Sequence, residues 1–152
     1  MILRNIALAA CAALAVVPAI PAAAQDVETA TSLRRLDMML MVTSLRCRFG
    51  SDDFRADYDR FRASNLPSLR DAALTVTGEF TRRYGKQGAV TQFDRMSVAM
   101  ANYYGAGHPR LDCGQLKREV GQMTAALGDV RLAQAATRLL DDDGAGTMLA
   151  RR

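Results

Sequence analysis

The stretch GHPRLDCGQL, residues 107–116, contains the only histidine of the chain, His108, and one of its three cysteines, Cys113. Its polar residues have the spacing of a helix start. Asp112 is a good N-cap, and Gln115 stands three positions after it, as in a capping box. The stretch therefore predicts that a helix begins at Cys113 and that this sulfur lies at the helix N-terminus.

The first 24 residues have the pattern of a cleaved signal peptide. Arg4 is followed by a long apolar run, and Ala22 and Ala24 occupy the small-residue positions that precede a cleavage site. Lipoprotein attachment at Cys11 is the rival interpretation, but the apolar run continues past this cysteine. The sequence predicts an exported chain, periplasmic or secreted, with no transmembrane span in its mature part.

Export limits the roles that the cysteines can take. Once Cys11 is removed with the leader, Cys47 and Cys113 remain, and an even number of cysteines in an oxidising compartment indicates a disulfide. Cys47 lies on the apolar stripe of a helix predicted over about residues 30–49, which suits a buried structural sulfur. The alternatives are a nucleophile formed by Cys113 and His108, and half of a metal site. We expect the disulfide Cys47–Cys113, because a second, core-facing cysteine is present.

The rest of the chain predicts the fold class. Apolar residues recur at helical spacing, and no stretch alternates strictly between apolar and polar residues. We expect an all-α fold, a compact bundle of five or six helices stapled by the disulfide. The single helical domain covers residues 25–140, after the signal peptide at 1–24, and a disordered polar tail follows at 141–152. Within the domain, the stretch GKQG at 85–88 predicts a turn between a third and a fourth helix.

Motifs for metals, haem and nucleotides do not occur in the sequence. There is no HExxH, CxxC or CxxCH and no pair of histidines, so neither a transition-metal centre nor a covalent haem is expected. The acidic stretch DDDG at residues 141–144 is too short for a calcium loop. Glycine-rich phosphate loops are also missing. We therefore expect no cofactor and no bound metal.

The charge distribution argues against a nucleic-acid partner. The formal net charge is +4, and the basic residues, nearly all arginines, are interleaved with aspartates. This pattern predicts a surface of mixed sign, whereas a nucleic-acid face concentrates basic residues on one side. We expect no nucleic acid among the partners.

Two residues are candidates for the active site of a small envelope hydrolase, Glu79 and His108. Peptidoglycan lies in the compartment predicted for this chain, and its cleavage would use paired carboxylates. Glu79 lies on the third predicted helix between Gly78 and Phe80, and nothing near it in sequence supplies a second carboxylate. An exposed surface acid is therefore the simpler interpretation.

The run around Met38, Met39 and Met41 is the most apolar short stretch of the mature chain. It predicts a core helix by default, and a Met-rich groove for a lipid or peptide as the alternative. The function expected first is a non-enzymatic periplasmic binding or interaction module that works with an envelope protein or peptide. The alternatives are the small hydrolase and a carrier of a lipid or small ligand.

Two stretches resemble a small exported all-helical family of unknown function from alphaproteobacteria: RRLDMMLMVTSLRCRFGSDDFRADYDRF at residues 34–61 and MANYYGAGHPRLDCGQL at residues 100–116. The resemblance extends over most of the mature chain. Members of the family are sometimes labelled S-adenosyl-L-homocysteine hydrolase, which is a large cytosolic NAD-dependent enzyme with a Rossmann domain. This chain has no dinucleotide fingerprint and no parallel-sheet pattern, so its residues do not support that label. The resemblance implies no catalytic residue.

Overall fold

The computed structural model describes residues 26–125 and 127–140, and the regular elements within them are all helices. This confirms the expected all-α bundle. The predicted signal peptide and C-terminal tail lie outside the described residues and stay predictions. In chain order the helices are α1 (Val27–Arg46), α2 (Arg55–Ser64), α3 (Leu66–Tyr104), α4 (Cys113–Gln122) and α5 (Asp129–Leu140).

Helix α1 packs against α2, α3 and α5, with α3 as its main partner. It begins earlier than expected, because Asp26 accepts a hydrogen bond from the backbone N–H of Thr29 at 2.7 Å and caps the helix. It also ends earlier, with Cys47 as its C-cap, so the expected end at Phe49 is wrong. The helix is therefore shifted towards the N-terminus relative to the range predicted from its apolar stripe.

The core is one cluster of apolar side chains to which all five helices contribute. Leu33, Leu36 and Leu40 of α1 are fully buried in it, as their spacing predicts. Burial of each such side chain contributes about 1.5–3 kcal/mol relative to exposure. Met39 is also fully buried and Met41 packs against the cluster, so these two methionines belong to the core.

Helix α3 is interrupted at Gly85. This residue has φ +70° and ψ 172°, in a backbone region that is essentially restricted to glycine. Residues 66–84 and 86–104 are helical on either side, and both arms contribute to the same core. The predicted turn is thus a single residue long. Gly88 is constrained differently, because a β-carbon at this position would lie 2.7 Å from the β-carbon of Tyr84.

The side chain of Ser51 or Asp52 can cap a helix and predicts a helix start there, but α2 starts later. It begins at Arg55; the N-cap residue Phe54 has no capping side chain, but Asp53 Oδ1 accepts the backbone N–H of Arg55 at 3.0 Å. The start is determined by packing, since Phe54 is fully buried at the N-cap position. Phe54, Tyr58 and Phe61 form the buried aromatic stripe that their helical spacing predicts.

The disulfide Cys47–Cys113 joins the C-terminal end of α1 to the first residue of α4, which confirms the predicted pairing. The two α-carbons lie 5.7 Å apart, within the usual range for a disulfide. The predicted capping box of α4 is also confirmed. Asp112 accepts the backbone N–H of Gln115 at 2.7 Å, and the Gln115 side chain accepts the backbone N–H of Asp112 at 2.9 Å.

Candidate functional site

The candidate His108 is buried in the loop between α3 and α4, and both of its ring nitrogens have hydrogen-bond partners. Nδ1 accepts from the backbone N–H groups of Arg110 at 3.1 Å and Leu111 at 3.0 Å. Nε2 lies 2.9 Å from the carbonyl oxygen of Leu139, so it carries the ring proton and donates it there. The neutral imidazole thus ties the loop to the C-terminal end of α5. Both ring nitrogens form hydrogen bonds within the protein, and the Cys113 sulfur is bonded to Cys47. The proposed Cys/His nucleophile therefore has neither a free thiol nor a free imidazole nitrogen.

We expect His108→Ala to lower the free energy of unfolding by about 2 kcal/mol, because two part-buried backbone donors and one buried carbonyl oxygen lose their partner. His108→Asn should lose less, since the amide oxygen takes the place of Nδ1 as acceptor. Urea unfolding followed by circular dichroism measures both losses, and the helix content of the folded variants should not change. A His108→Ala variant as stable as the original chain would contradict this structural role.

The candidate Glu79 is held by two arginines of its own helix. Arg82 donates to its two carboxylate oxygens at 2.7 and 3.0 Å, and Arg83 also pairs with it. The hydrogen bond from Arg82 is the main cause that lowers the pKa of Glu79. A general acid needs a raised pKa, so these surroundings favour a permanently ionised carboxylate. Glu79 and His108 have separate hydrogen-bond partners and do not form one catalytic group.

A buried polar network joins α1 to α2. Asp37 is 7% exposed, and its two oxygens accept from the Tyr58 hydroxyl at 3.0 Å and from Arg34 Nη1 at 3.1 Å. Burial, followed by the nearby Asp37 charge, raises the pKa of Tyr58, so this hydroxyl keeps its proton and donates it. The sequence contains a signal for the burial of Asp37, since this residue lies four positions after Leu33 and three before Leu40, on the buried stripe.

This network joins the helices, and neither its carboxylate nor its hydroxyl is free for chemistry. Both oxygens of Asp37 are bonded, and Tyr58 is a neutral donor. The Arg34 guanidinium also lies 5.3 Å from the centroid of the Phe93 ring, which links α1 to the second arm of α3. Arg34 Nε is buried without a hydrogen-bond partner. The guanidinium is therefore held by the carboxylate and by the ring.

Asn65, between α2 and α3, is a second buried polar residue that no sequence pattern singled out. Its Nδ2 donates to the carbonyl oxygen of Phe61 at 2.9 Å and to those of Met123 and Ala125 at 3.4 Å. Its Oδ1 accepts the backbone N–H of Leu127 at 3.1 Å. One amide thus holds the segment between α4 and α5 against the end of α2, and all its polar atoms are used.

Two surface depressions lie away from both candidate residues. One of about 570 Å³ is lined by the outer face of α5, and one of about 440 Å³ by residues 53–59 at the start of α2. Each is open and is formed along a single helix, which is unlike the enclosed cavity that a carrier needs. Within residues 26–125 and 127–140, no three His, Cys, Asp or Glu side chains lie together as metal ligands would.

The turn between α1 and α2 carries an exposed aromatic side chain. Phe49 is 80% exposed, and Leu45 in the last turn of α1 is 51% exposed. Arg48 contacts both, because its guanidinium lies 4.3 Å from the Phe49 ring centroid and its Nη1 donates to the Leu45 carbonyl oxygen at 2.8 Å. We call Leu45, Arg48 and Phe49 the Phe49 patch.

The turn is fixed to α4 on both sides of Phe49. Cys47 precedes Phe49 by two residues and is bonded to α4 through the disulfide. After Phe49, Gly50 turns the chain with φ +110°, and Lys117 of α4 donates to the carbonyl oxygen of Ser51 at 2.6 Å. A side chain presented on a rigid base loses less conformational entropy when it binds a partner.

Comparisons of the chain with protein-family models, curated proteins and solved structures find no match. None of the described helices is long and apolar enough to cross a membrane. The function is therefore inferred from the residues of the chain itself, and the Phe49 patch is the candidate site that they favour.

Proposed function

We propose that the chain is a non-enzymatic binding module, exported to the periplasm or secreted, that engages an envelope protein through the Phe49 patch. The observation that carries this proposal is the 80% exposure of Phe49 on a base held by the disulfide. Aromatic and arginine side chains supply most of the binding energy at protein interfaces. The disulfide supports an oxidising compartment, where such bonds form and persist.

The charges around the patch favour a protein over a lipid surface. Arg48 is followed within five residues by two carboxylates, Asp52 and Asp53. Hydrogen bonds from Arg55 lower the pKa of Asp53 to about 2, so it stays charged. An exposed aromatic side chain with charges of both signs close to it in the chain is typical of protein interfaces, whereas an anionic membrane repels carboxylates. The partner is therefore a protein.

The two alternative functions have less support. The hydrolase would use Glu79, whose pKa is lowered, or His108, whose nitrogens are both engaged. The carrier would use the Met-rich run, in which Met39 is fully buried within the protein core. In each case the side chain on which the alternative depends already contacts other parts of the chain.

We expect a photo-crosslinking residue at position 49, Phe49→p-benzoylphenylalanine, to form a discrete adduct with one envelope protein in intact cells. The matched control is the same residue at position 74, because Leu74 of α3 is 69% exposed but lies outside the patch. The adduct is detected by immunoblotting and identified by mass spectrometry. The control position should not give this adduct.

The purified adduct partner then provides a quantitative check. Phe49→Ser should weaken its binding by at least about tenfold, as expected for an aromatic residue central to an interface. The thermal midpoint should stay unchanged, since an exposed side chain contributes little to stability. Identical adducts from positions 49 and 74, or equal affinity of the Phe49→Ser variant, would refute the proposal.

A further inference from the structure

We propose that the chain also docks onto an anionic phospholipid surface through the exposed kink in the middle of α3 around Gly85. We define the α3 tip as Arg82, Arg83, Tyr84, Lys86 and Val90. All five side chains are exposed, and they flank the single non-helical residue of α3. This proposal concerns a different surface from the Phe49 patch.

The α3 tip is basic. Residues 80–93 contain three basic residues and no acidic residue. The nearest carboxylate on the N-terminal side is Glu79, which pairs with Arg82 and Arg83. Its negative charge offsets one of the three positive charges and leaves the stretch 79–93 at a net charge of +2. An anionic surface complements this charge.

Apolar groups stand among these positive charges. Tyr84 is 52% exposed and Val90 is 62% exposed. The Tyr84 ring packs against Phe80, with 6.3 Å between the centroids, and its β-carbon adjoins the backbone at Gly88. One side of Tyr84 therefore packs against its own helix, while about half of the side chain faces solvent. A tyrosine held in this way presents an apolar body and a polar hydroxyl, the combination enriched at membrane interfaces.

The backbone brings the basic and the apolar side chains together at the kink in the middle of α3. Both arms pack into the same core, and the chain changes direction between them at Gly85. Arg82, Arg83 and Tyr84 end the first arm, and Lys86 begins the second. Arginine and lysine can lay their aliphatic stems along an apolar surface while their charges reach lipid phosphates.

No carboxylate occurs in the stretch 80–93, and this distinguishes the α3 tip from the Phe49 patch and favours a membrane over a protein. Near an anionic leaflet each basic residue strengthens adsorption, and each acidic residue weakens it. The Phe49 patch is followed by Asp52 and Asp53, whereas no acidic residue follows the α3 tip until Asp94. An acidic protein surface is the alternative partner for the α3 tip, and vesicle binding distinguishes it from a membrane.

The test is sedimentation of the full chain with vesicles made from equal parts of phosphatidylglycerol and phosphatidylcholine. We expect binding to these vesicles, no binding to vesicles of phosphatidylcholine alone, and release by high salt. Lys86→Glu should weaken vesicle binding on the order of tenfold, because it reverses one charge at the surface. In the double variant Lys86→Glu/Tyr84→Ser, vesicle binding should be weaker still.

Arg131→Glu on the exposed side of α5 is the matched control, since it changes the net charge equally away from the α3 tip. It should bind vesicles as the original chain does, and so should Phe49→Ser. The thermal midpoints of all variants should agree, because every substituted position is exposed. Equal losses for Lys86→Glu and Arg131→Glu, or no vesicle binding at all, would overturn the proposal. Retention on polyglutamate without vesicle binding would assign the tip to an acidic protein instead.

Discussion

Removal of the disulfide in the double variant Cys47→Ala/Cys113→Ala should lower the free energy of unfolding by about 4 kcal/mol. The bond joins residues that are 66 positions apart, so its loss gives the unfolded chain many more conformations. Cys47 is only 5% exposed, and alanine leaves a small cavity there that adds to the loss. The thermal midpoint should fall by on the order of 10 °C, measured by circular dichroism.

Reduction of the original chain provides the control for this prediction. Guanidinium unfolding in the presence of a reductant should give nearly the same midpoint as the double variant without it. The reductant should leave the midpoint of the double variant unchanged, because no disulfide remains to be reduced. An original chain whose midpoint is insensitive to the reductant under unfolding conditions would show that the bond does not stabilise the fold.

Asn65→Asp should lower the free energy of unfolding by about 3 kcal/mol or more, although the two side chains have nearly the same shape. Asn65 is 3% exposed, and its Nδ2 faces three carbonyl oxygens. The substitution replaces this donor with a carboxylate oxygen, which repels the carbonyl groups and buries a charge. Urea unfolding at neutral pH measures the loss.

Asn102→Asp is the matched control, because it makes the same chemical change at an exposed position of α3. It should change the free energy of unfolding by less than about 0.5 kcal/mol. The deficit of Asn65→Asp should shrink as the pH is lowered, since a protonated carboxyl group can donate to one of the carbonyl oxygens. Equal stabilities of the two variants at neutral pH would rule out the role assigned to Asn65.

The features that the sequence predicted best depend on residues close together in the chain. The capping box at Asp112 and Gln115 involves two residues three positions apart, so its spacing alone identifies the start of α4. The pairing of Cys47 with Cys113 is a long-range contact, but these are the two cysteines of the sequence that lie outside the predicted signal peptide. No spatial information was needed to choose between partners.

The position of α3 relative to the core was harder to predict. Apolar spacing places Val90 on the inner face of the fourth predicted helix, yet Val90 is 62% exposed, whereas Ala89 beside it is 1% exposed. The inner stripe of this arm runs through Ala89, Phe93, Met96 and Met100. Adjacent residues of a helix point about 100° apart, so a shift of one residue is enough to move Val90 outwards. Val90 is larger and more apolar than Ala89, and it therefore suggested the wrong inner face for this arm of α3.

Local spacing and hydrophobic periodicity by themselves determined the helical class and the start of α4, and the number of cysteines outside the predicted signal peptide determined the bonded pair. Only the tertiary structure decided which polar groups meet, as when Asn65 reaches the segment after α4 and His108 reaches the end of α5. It also decided that Phe49 lies outside α1 and faces solvent. Contacts between residues far apart in sequence depend on how the helices pack. The spacing of residues within one helix indicates which face is buried, but not which residues of the other helices that face meets.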